Sequence, residues 1–242
     1  MAAPRRMEVK PPAVTPTVTY TLIGTCVIVY LLQVASQNFL GGDLPAALGV
    51  KANSLIVQGQ IWRLFTPMFL HASIPHILFN MYALYSLGPG LERYYGHWRY
   101  LLLYILSGFA GNVASFMLSP NPSLGSSTAI FGLLGAEGIF LYQNRKLFGN
   151  MAQRALTQIV LIAVVNLIIG LSPGIDNWGH VGGLIAGTLF AWFAGPLLQI
   201  EGIYPTLGMV DQRETRDVLL AGLGVGVIFV ALTTITILMR GG

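Results

Sequence analysis

Seven stretches of this chain, at roughly 17–36, 73–91, 99–118, 127–143, 155–172, 178–198 and 217–239, are apolar almost without interruption. Each has about the 17–25 residues that a helix needs to cross the hydrocarbon core of a bilayer. Inside lipid every backbone polar group must be satisfied within the segment, which selects helices. Composition points the same way: 54% of the 242 residues are hydrophobic and 9% are charged, where a soluble domain carries about a quarter charged residues. The expected fold class is an all-α membrane protein with seven spans and no separate soluble domain. The first stretch is not read as a cleaved signal peptide, because no small-residue cleavage site follows it. Residues 1–16, with Arg5, Arg6, Lys10 and several prolines, read as a flexible basic tail.

Charge and cysteine usage narrow the function classes. The one cysteine, Cys26, lies in the first apolar stretch, which rules out an internal disulfide and a thiolate metal site. The net charge of +4 is not gathered into a lysine- or arginine-rich stripe, so no nucleic-acid partner is expected. The charges instead orient the bundle. With a cytoplasmic N-terminus, the inner segments collect Arg5, Arg6, Lys10, Arg93, Arg99, Arg145, Lys146, Arg154, Arg213 and Arg216, and the outer ones keep Lys51, Arg63 and Arg240. This positive-inside asymmetry predicts N-terminus in and C-terminus out.

That topology aligns four polar residues. The second, fourth and sixth stretches all enter from the outside, with His76 and Asn80 near the start of the second, Ser127 opening the fourth and His180 near the start of the sixth. At about 1.5 Å per residue, all four fall in the outer part of the membrane. His76 and Asn80 are four residues apart and share a helix face. His180, Gly183, Gly187, Ala191 and Ala194 form a small-residue stripe, as do Gly125, Ala129, Gly132 and Ala136. Such stripes let membrane helices approach to backbone contact, which would bring a hydroxyl to an imidazole, the smallest set for nucleophilic acyl chemistry.

Taken singly, each residue also has a structural role open to it. A serine in a membrane helix commonly bonds its own backbone, a histidine can bond a neighbouring helix, and small-residue stripes by themselves mean packing. His71, His76 and Asn80 lack the carboxylate or third histidine of a catalytic zinc site, so neither a metal nor another cofactor is expected. The conjunction is what carries the reading.

At these residues the chain resembles the rhomboid family of intramembrane serine proteases. The family's nucleophile motif is similar to Gly125-Ser126-Ser127-Thr128-Ala129-Ile130-Phe131-Gly132, and its histidine followed by glycines to His180-Val181-Gly182-Gly183. Its His-x-x-x-x-His-x-x-x-Asn pattern resembles His71, His76 and Asn80, its first-loop Trp-Arg pair Trp62-Arg63, and the glutamate after its second core helix Glu92. The resemblance runs over about residues 17–198. It implies a six-helix core over 17–198, with 199–242 a cytoplasmic connector and an added seventh helix. It implies a dyad of Ser127 as nucleophile and His180 as general base and acid, Phe131 stacked on the imidazole, and an oxyanion hole from His76, Asn80 and the Ser127 N–H, with His71 and Gly125 in support. It further implies that residues 37–72 lie half-submerged beside the core, and that 172–178 cap the site.

Two positions depart from the pattern or stand outside it. Thr128 takes the place where the family most often has glycine, and activity is expected to survive it. Glu137 lies about 15 Å below Ser127, where a carboxyl is expected to be protonated or paired; a helix contact near the cytoplasmic side, or a role in gating or in pairing with Arg145 or Lys146, is expected.

The leading expectation is an intramembrane endopeptidase acting on single-span membrane proteins from within the bilayer. The competing one is a catalytically inactive rhomboid-like protein that binds membrane clients; such relatives typically lack the serine or the histidine, and this chain has both. A transporter would show matching halves and broken helices, which are not seen. Neither a His-Glu-x-x-His motif nor a pair of membrane aspartates is present, and Gly125–Ala129 departs from the α/β-hydrolase nucleophile elbow. A multi-pass location in a bacterial plasma membrane is expected, and no feature of the sequence specifies an oligomeric state.

Overall fold

The computed structural model describes residues 13–203 and 207–241; most of the basic tail assigned to 1–16 lies outside them. In chain order the helices are α1 Thr17–Leu40, α2 Leu44–Gly49, α3 Asn53–Val57, α4 Ile74–Tyr95, α5 His97–Leu118, α6 Ser127–Gln143, α7 Arg145–Phe148, α8 Asn150–Ile169, α9 Asn177–Ala194 and α10 Thr215–Gly241. Strands β1 Leu198–Glu201 and β2 Gly208–Asp211 form an antiparallel hairpin between α9 and α10. The chain is an integral membrane protein. Of its helices α1, α5, α8 and α10 are each long and apolar enough to cross a bilayer.

Helix ends fall where local chemistry puts them. Ser73 caps α4 by accepting from the His76 N–H at 3.4 Å, with Pro75 in the first turn, where its missing N–H costs nothing. Asp176 caps α9 by accepting from the Gly179 N–H at 3.1 Å. A single residue, Gly96 at φ +74°, reverses the chain between α4 and α5, a conformation open to glycine because it lacks a Cβ. The sixth apolar stretch ends as helix at Ala194 rather than at 198. Pro196 disfavours helix in the residue before it, and the chain leaves Gly195 extended to enter β1. The hairpin that follows has no counterpart in the sequence reading.

Helices α5, α6 and α9 form the centre. Tyr100, Leu103, Tyr104 and Phe116 of α5, Leu133 of α6 and Phe190 of α9 are fully buried, while Val160, Leu161, Val164, Val165 and Ile168 of α8 point outward. Glycines set the spacing in the centre. A Cβ on Gly183 would strike the Thr128 carbonyl, and one on Gly187 would strike the backbone of Gly132. On the other side, a Cβ on Gly111 of α5 would lie 2.6 Å from the Gly179 carbonyl oxygen. Thr128 has a place in this packing: its methyl lies 3.0 Å from where a Cβ on Gly179 would stand, filling the α5–α6–α9 junction.

Helix α1 docks at its N-terminus. Glu92, wholly buried within α4, accepts from the N–H groups of Val18 and Thr19 at 2.8 Å each and from the Thr19 hydroxyl at 2.7 Å. These are N–H groups that a helix start leaves unpaired. Glu137 forms no ion pair with Arg145 or Lys146 among the described residues: Arg145 lies over the Tyr142 ring, and one carboxylate oxygen of Glu137 is buried without a partner.

Because Gly187 meets backbone rather than a movable side chain, Gly187→Val is expected to cost more than the about 1–3 kcal/mol of ordinary overpacking. Thermal unfolding in detergent should show a large drop in Tm. Gly224→Ala, whose Cβ meets nothing within 4 Å, serves as the control and should melt at or slightly above the wild-type temperature.

Candidate active site

The loop between α1 and α4 is a built structure. Arg63 is buried and donates from Nη1 to the Val50 carbonyl at 2.9 Å, from Nη2 to the Ala47 carbonyl at 2.7 Å and from Nε to Gln60 Oε1 at 2.8 Å. Trp62 Nε1 donates to the Leu48 carbonyl at 3.0 Å. One guanidinium and one indole thus gather the carbonyls of α2, satisfying the orphan acceptors at its end. Thr66 adds a bond to the Gly49 carbonyl at 2.6 Å.

Lys51 ties this loop to the segment before Ser127. Its Nζ donates to the carbonyls of Asn121 at 2.7 Å, Ser119 at 3.3 Å and Ser115 at 3.4 Å, and to Asn53 Oδ1 at 3.1 Å. Its backbone pairs with Ser123 as an isolated antiparallel bridge. Burial pushes the Lys51 ammonium down to about 8, so at neutral pH it stays charged and holds its acceptors. The Gly125 N–H donates to the Pro67 carbonyl at 2.9 Å, a second tie to the same loop. Sequence reasoning passed over Lys51. The available signal was a lone lysine in an apolar loop, a residue type almost never fully buried unless paired.

Gly125 then turns the chain at φ +133°, and a Cβ there would sit 2.7 Å from His76 Nε2. Only glycine allows both the turn and the approach. Ser127 follows as the first residue of α6. Its Oγ lies 3.0 Å from His180 Nε2, within the reach that proton transfer needs. The His180 ring stacks on Phe131 with centroids 4.3 Å apart and planes 10° from parallel, while its Nδ1 is buried with no partner. The imidazole is therefore oriented by a ring face and not by a carboxylate.

His76, Ser127 and His180 line one cavity of about 570 Å³, together with Ser73, Asn121 and Asp176. The Ala72 N–H reaches His76 Nδ1 at 3.4 Å, which leaves the proton of a neutral ring on Nε2, beside Gly125. Asn80 is placed differently: it is buried, its Nδ2 donates to the His76 carbonyl of its own helix at 3.0 Å, and it is not part of the cavity wall. His71 lies behind the site. Its Nε2 is 3.3 Å from the Ser126 hydroxyl, its ring meets His76 edge-on, and its N–H donates to Gln33 Oε1 at 3.0 Å. Burial, with repulsion from His76 added, pushes the His71 imidazole down to about 4.

The family model described as Rhomboid domain matches residues 58–197. Rhomboid protease GluP of Bacillus subtilis (strain 168) is 41% identical over 218 residues, 90% of this chain and 41% of its own length. From Arabidopsis thaliana, RHOMBOID-like protein 9, chloroplastic, is 35% identical over 74% of this chain and 41% of its own length. RHOMBOID-like protein 1 from the same plant is 40% identical over 76% and 47%. The chain thus spans less than half the length of these curated relatives.

Two expectations follow. Lys51→Met removes the donor of the Asn121 carbonyl, while the Ser115 and Ser119 carbonyls keep the Ser119 N–H and Asn53 Nδ2; leaving a buried acceptor unpaired costs about 1–3 kcal/mol. The loop carrying Ser127 should loosen, read as a slower reaction of Ser127 with a fluorophosphonate than in the wild type. His71 has a folded pKa of about 4 and an ordinary one near 6.5, so the unfolded chain binds the extra proton. Its contribution to stability is present above about 6.5 and is lost as pH falls through about 4. Tm should drop across that window, and by less in His71→Asn.

Proposed function

This chain belongs to the rhomboid family, and we propose that it is an intramembrane serine endopeptidase working through a Ser127–His180 dyad. The observation that carries the reading is the 3.0 Å approach of Ser127 Oγ to His180 Nε2, with that ring stacked on Phe131 at the wall of a cavity. A catalytically inactive client-binding relative would have no need of this alignment.

In the proposed mechanism His180 takes the hydroxyl proton as Ser127 attacks the scissile carbonyl, and a tetrahedral oxyanion forms. Three donors are available to it. The Ser127 N–H opens α6 and has no partner within its helix, His76 presents Nε2–H, and the Asn80 amide has a second hydrogen beyond the one on the His76 carbonyl. His180 then returns its proton to the leaving amine, the C–N bond breaks and an acyl-Ser127 remains. Water, admitted through the cavity and deprotonated by His180, attacks the ester carbonyl, and His180 returns that proton to Ser127 Oγ as the C–O bond breaks and the acid product leaves. Ser73 and Asn121 on the wall give that water polar neighbours.

The substrates we assign are single-span membrane proteins. An intact helix hides its carbonyls in hydrogen bonds, so cleavage favours segments with helix-breaking residues and a small residue before the scissile bond. Helix α8, apolar along its outer face, borders the route by which such a segment enters from lipid. Charge asymmetry supports seven spans, with the N-terminus cytoplasmic and the site toward the outer surface. Similarity to the Bacillus protein favours a bacterial plasma membrane.

Purified protein with a generic transmembrane substrate should cleave it, while Ser127→Ala and His180→Ala should not, and fluorophosphonate should label the wild type and leave Ser127→Ala unmodified. Equal cutting by all three proteins, or cutting by none across several substrates, sinks the proposal. Asn80→Ala should lower kcat by about 10²–10³, the usual cost of one oxyanion donor, with KM nearly unchanged.

A further inference from the structure

A second cavity, of about 380 Å³, lies away from the catalytic residues, between the end of α9 and the first half of α10. Its walls are Leu189 and Phe193 from α9 and Leu220, Gly224 and Ile228 from α10, and its mouth carries Arg213 and Asp217. From Asp217 to Ile228 it runs about 16 Å along the helix axis. That is close to half of the about 30 Å hydrocarbon thickness: one leaflet deep, charged at the rim and apolar within. A crossing helix would need a groove of twice that length, whereas a lipid has this length and this polarity.

The rim charges narrow the headgroup. Arg213 is held in place by donating from Nε to the Gly195 carbonyl at 3.2 Å and from Nη2 to the Trp192 carbonyl at 3.0 Å, which leaves Nη1 unengaged among the described residues. Its neighbour Asp211 is taken up by Arg99 at 2.7 Å and by the Leu197 and Arg213 N–H groups. The Asp217 carboxylate has no side-chain hydrogen bond or ion pair among the described residues, and it does not pair with Arg213. A fixed guanidinium suits a phosphate, and a free carboxylate beside it suits an ammonium while repelling a purely anionic headgroup.

We infer that this groove binds one phospholipid with a primary-ammonium headgroup, its phosphate on Arg213, its ammonium on Asp217 and an acyl chain along Gly224 and Ile228. Phosphatidylethanolamine has this chemistry. Phosphatidylglycerol lacks the ammonium, and the trimethylated headgroup of phosphatidylcholine cannot donate to a carboxylate.

The test is native mass spectrometry of the detergent-purified full chain titrated with each of the three lipids. Wild type should retain phosphatidylethanolamine about tenfold better than phosphatidylglycerol, the scale of one charge-assisted hydrogen bond. Asp217→Asn should abolish that preference while keeping some binding of both. Gly224→Leu, whose side chain enters the groove where a Cβ meets nothing, should lose retention of both with fluorophosphonate labelling of Ser127 intact. Equal retention of the three lipids by wild type, or variants that retain phosphatidylethanolamine as wild type does, overturns the proposal. So does a change of oligomeric state in Gly224→Leu without loss of lipid, which would assign the groove to a second copy.

Discussion

Contact between the backbones of α6 and α9 is the constraint on which the rest depends. Ser127 and His180 sit on different helices, 53 residues apart, and neither side chain is long. They meet only because Gly183 and Gly187 let α9 lie directly against the carbonyls of Thr128 and Gly132. In lipid no hydrophobic effect drives helices together, so association rests on close packing of this kind. The separation of Ser127 from His180 is thus a backbone dimension, set by atoms without rotamers. α5 completes it from behind, with Gly111 against the Gly179 carbonyl and Thr128 wedged between.

Much of this could be read from the chain. Apolar length gave the long helices to within a few residues at most ends, because lipid forbids alternatives. The small-residue stripes named the two helices that touch. What could not be read was polar and local. The β1–β2 hairpin is four residues a side with mixed exposure, too short for periodicity to register. Lys51 gave no motif, since three of its four acceptors are backbone carbonyls from far along the chain. The amide of Asn80 follows a rule that spacing cannot express: four residues after His76 it can bond its own helix, and in this structure one of its two hydrogens does so. Glu137 stays outside any pattern, with one oxygen buried and unpaired.

The site divides its labour between rigid and adjustable parts. His180 has no carboxylate on Nδ1; an aromatic face takes the orienting role that an aspartate fills in a catalytic triad. A ring can hold a plane without adding a second buried charge, which would be expensive inside a bilayer. Ser127, in contrast, follows a loop whose place is fixed by polar ties to a neighbouring loop.

Those ties have a consequence for how such a protein can diversify. Lys51 grips Ser115, Ser119 and Asn121 through their main-chain oxygens, and the bridge to Ser123 is main chain as well. Any residue supplies a carbonyl, so the grip of Lys51 does not itself depend on the side chains at 119 and 121, both on the cavity wall. The scaffold therefore separates variation in the shape of the cavity wall from variation in the placement of Ser127. Changes at the wall can reshape the cavity in small steps, whereas a change at Lys51 acts on the segment that carries Ser127.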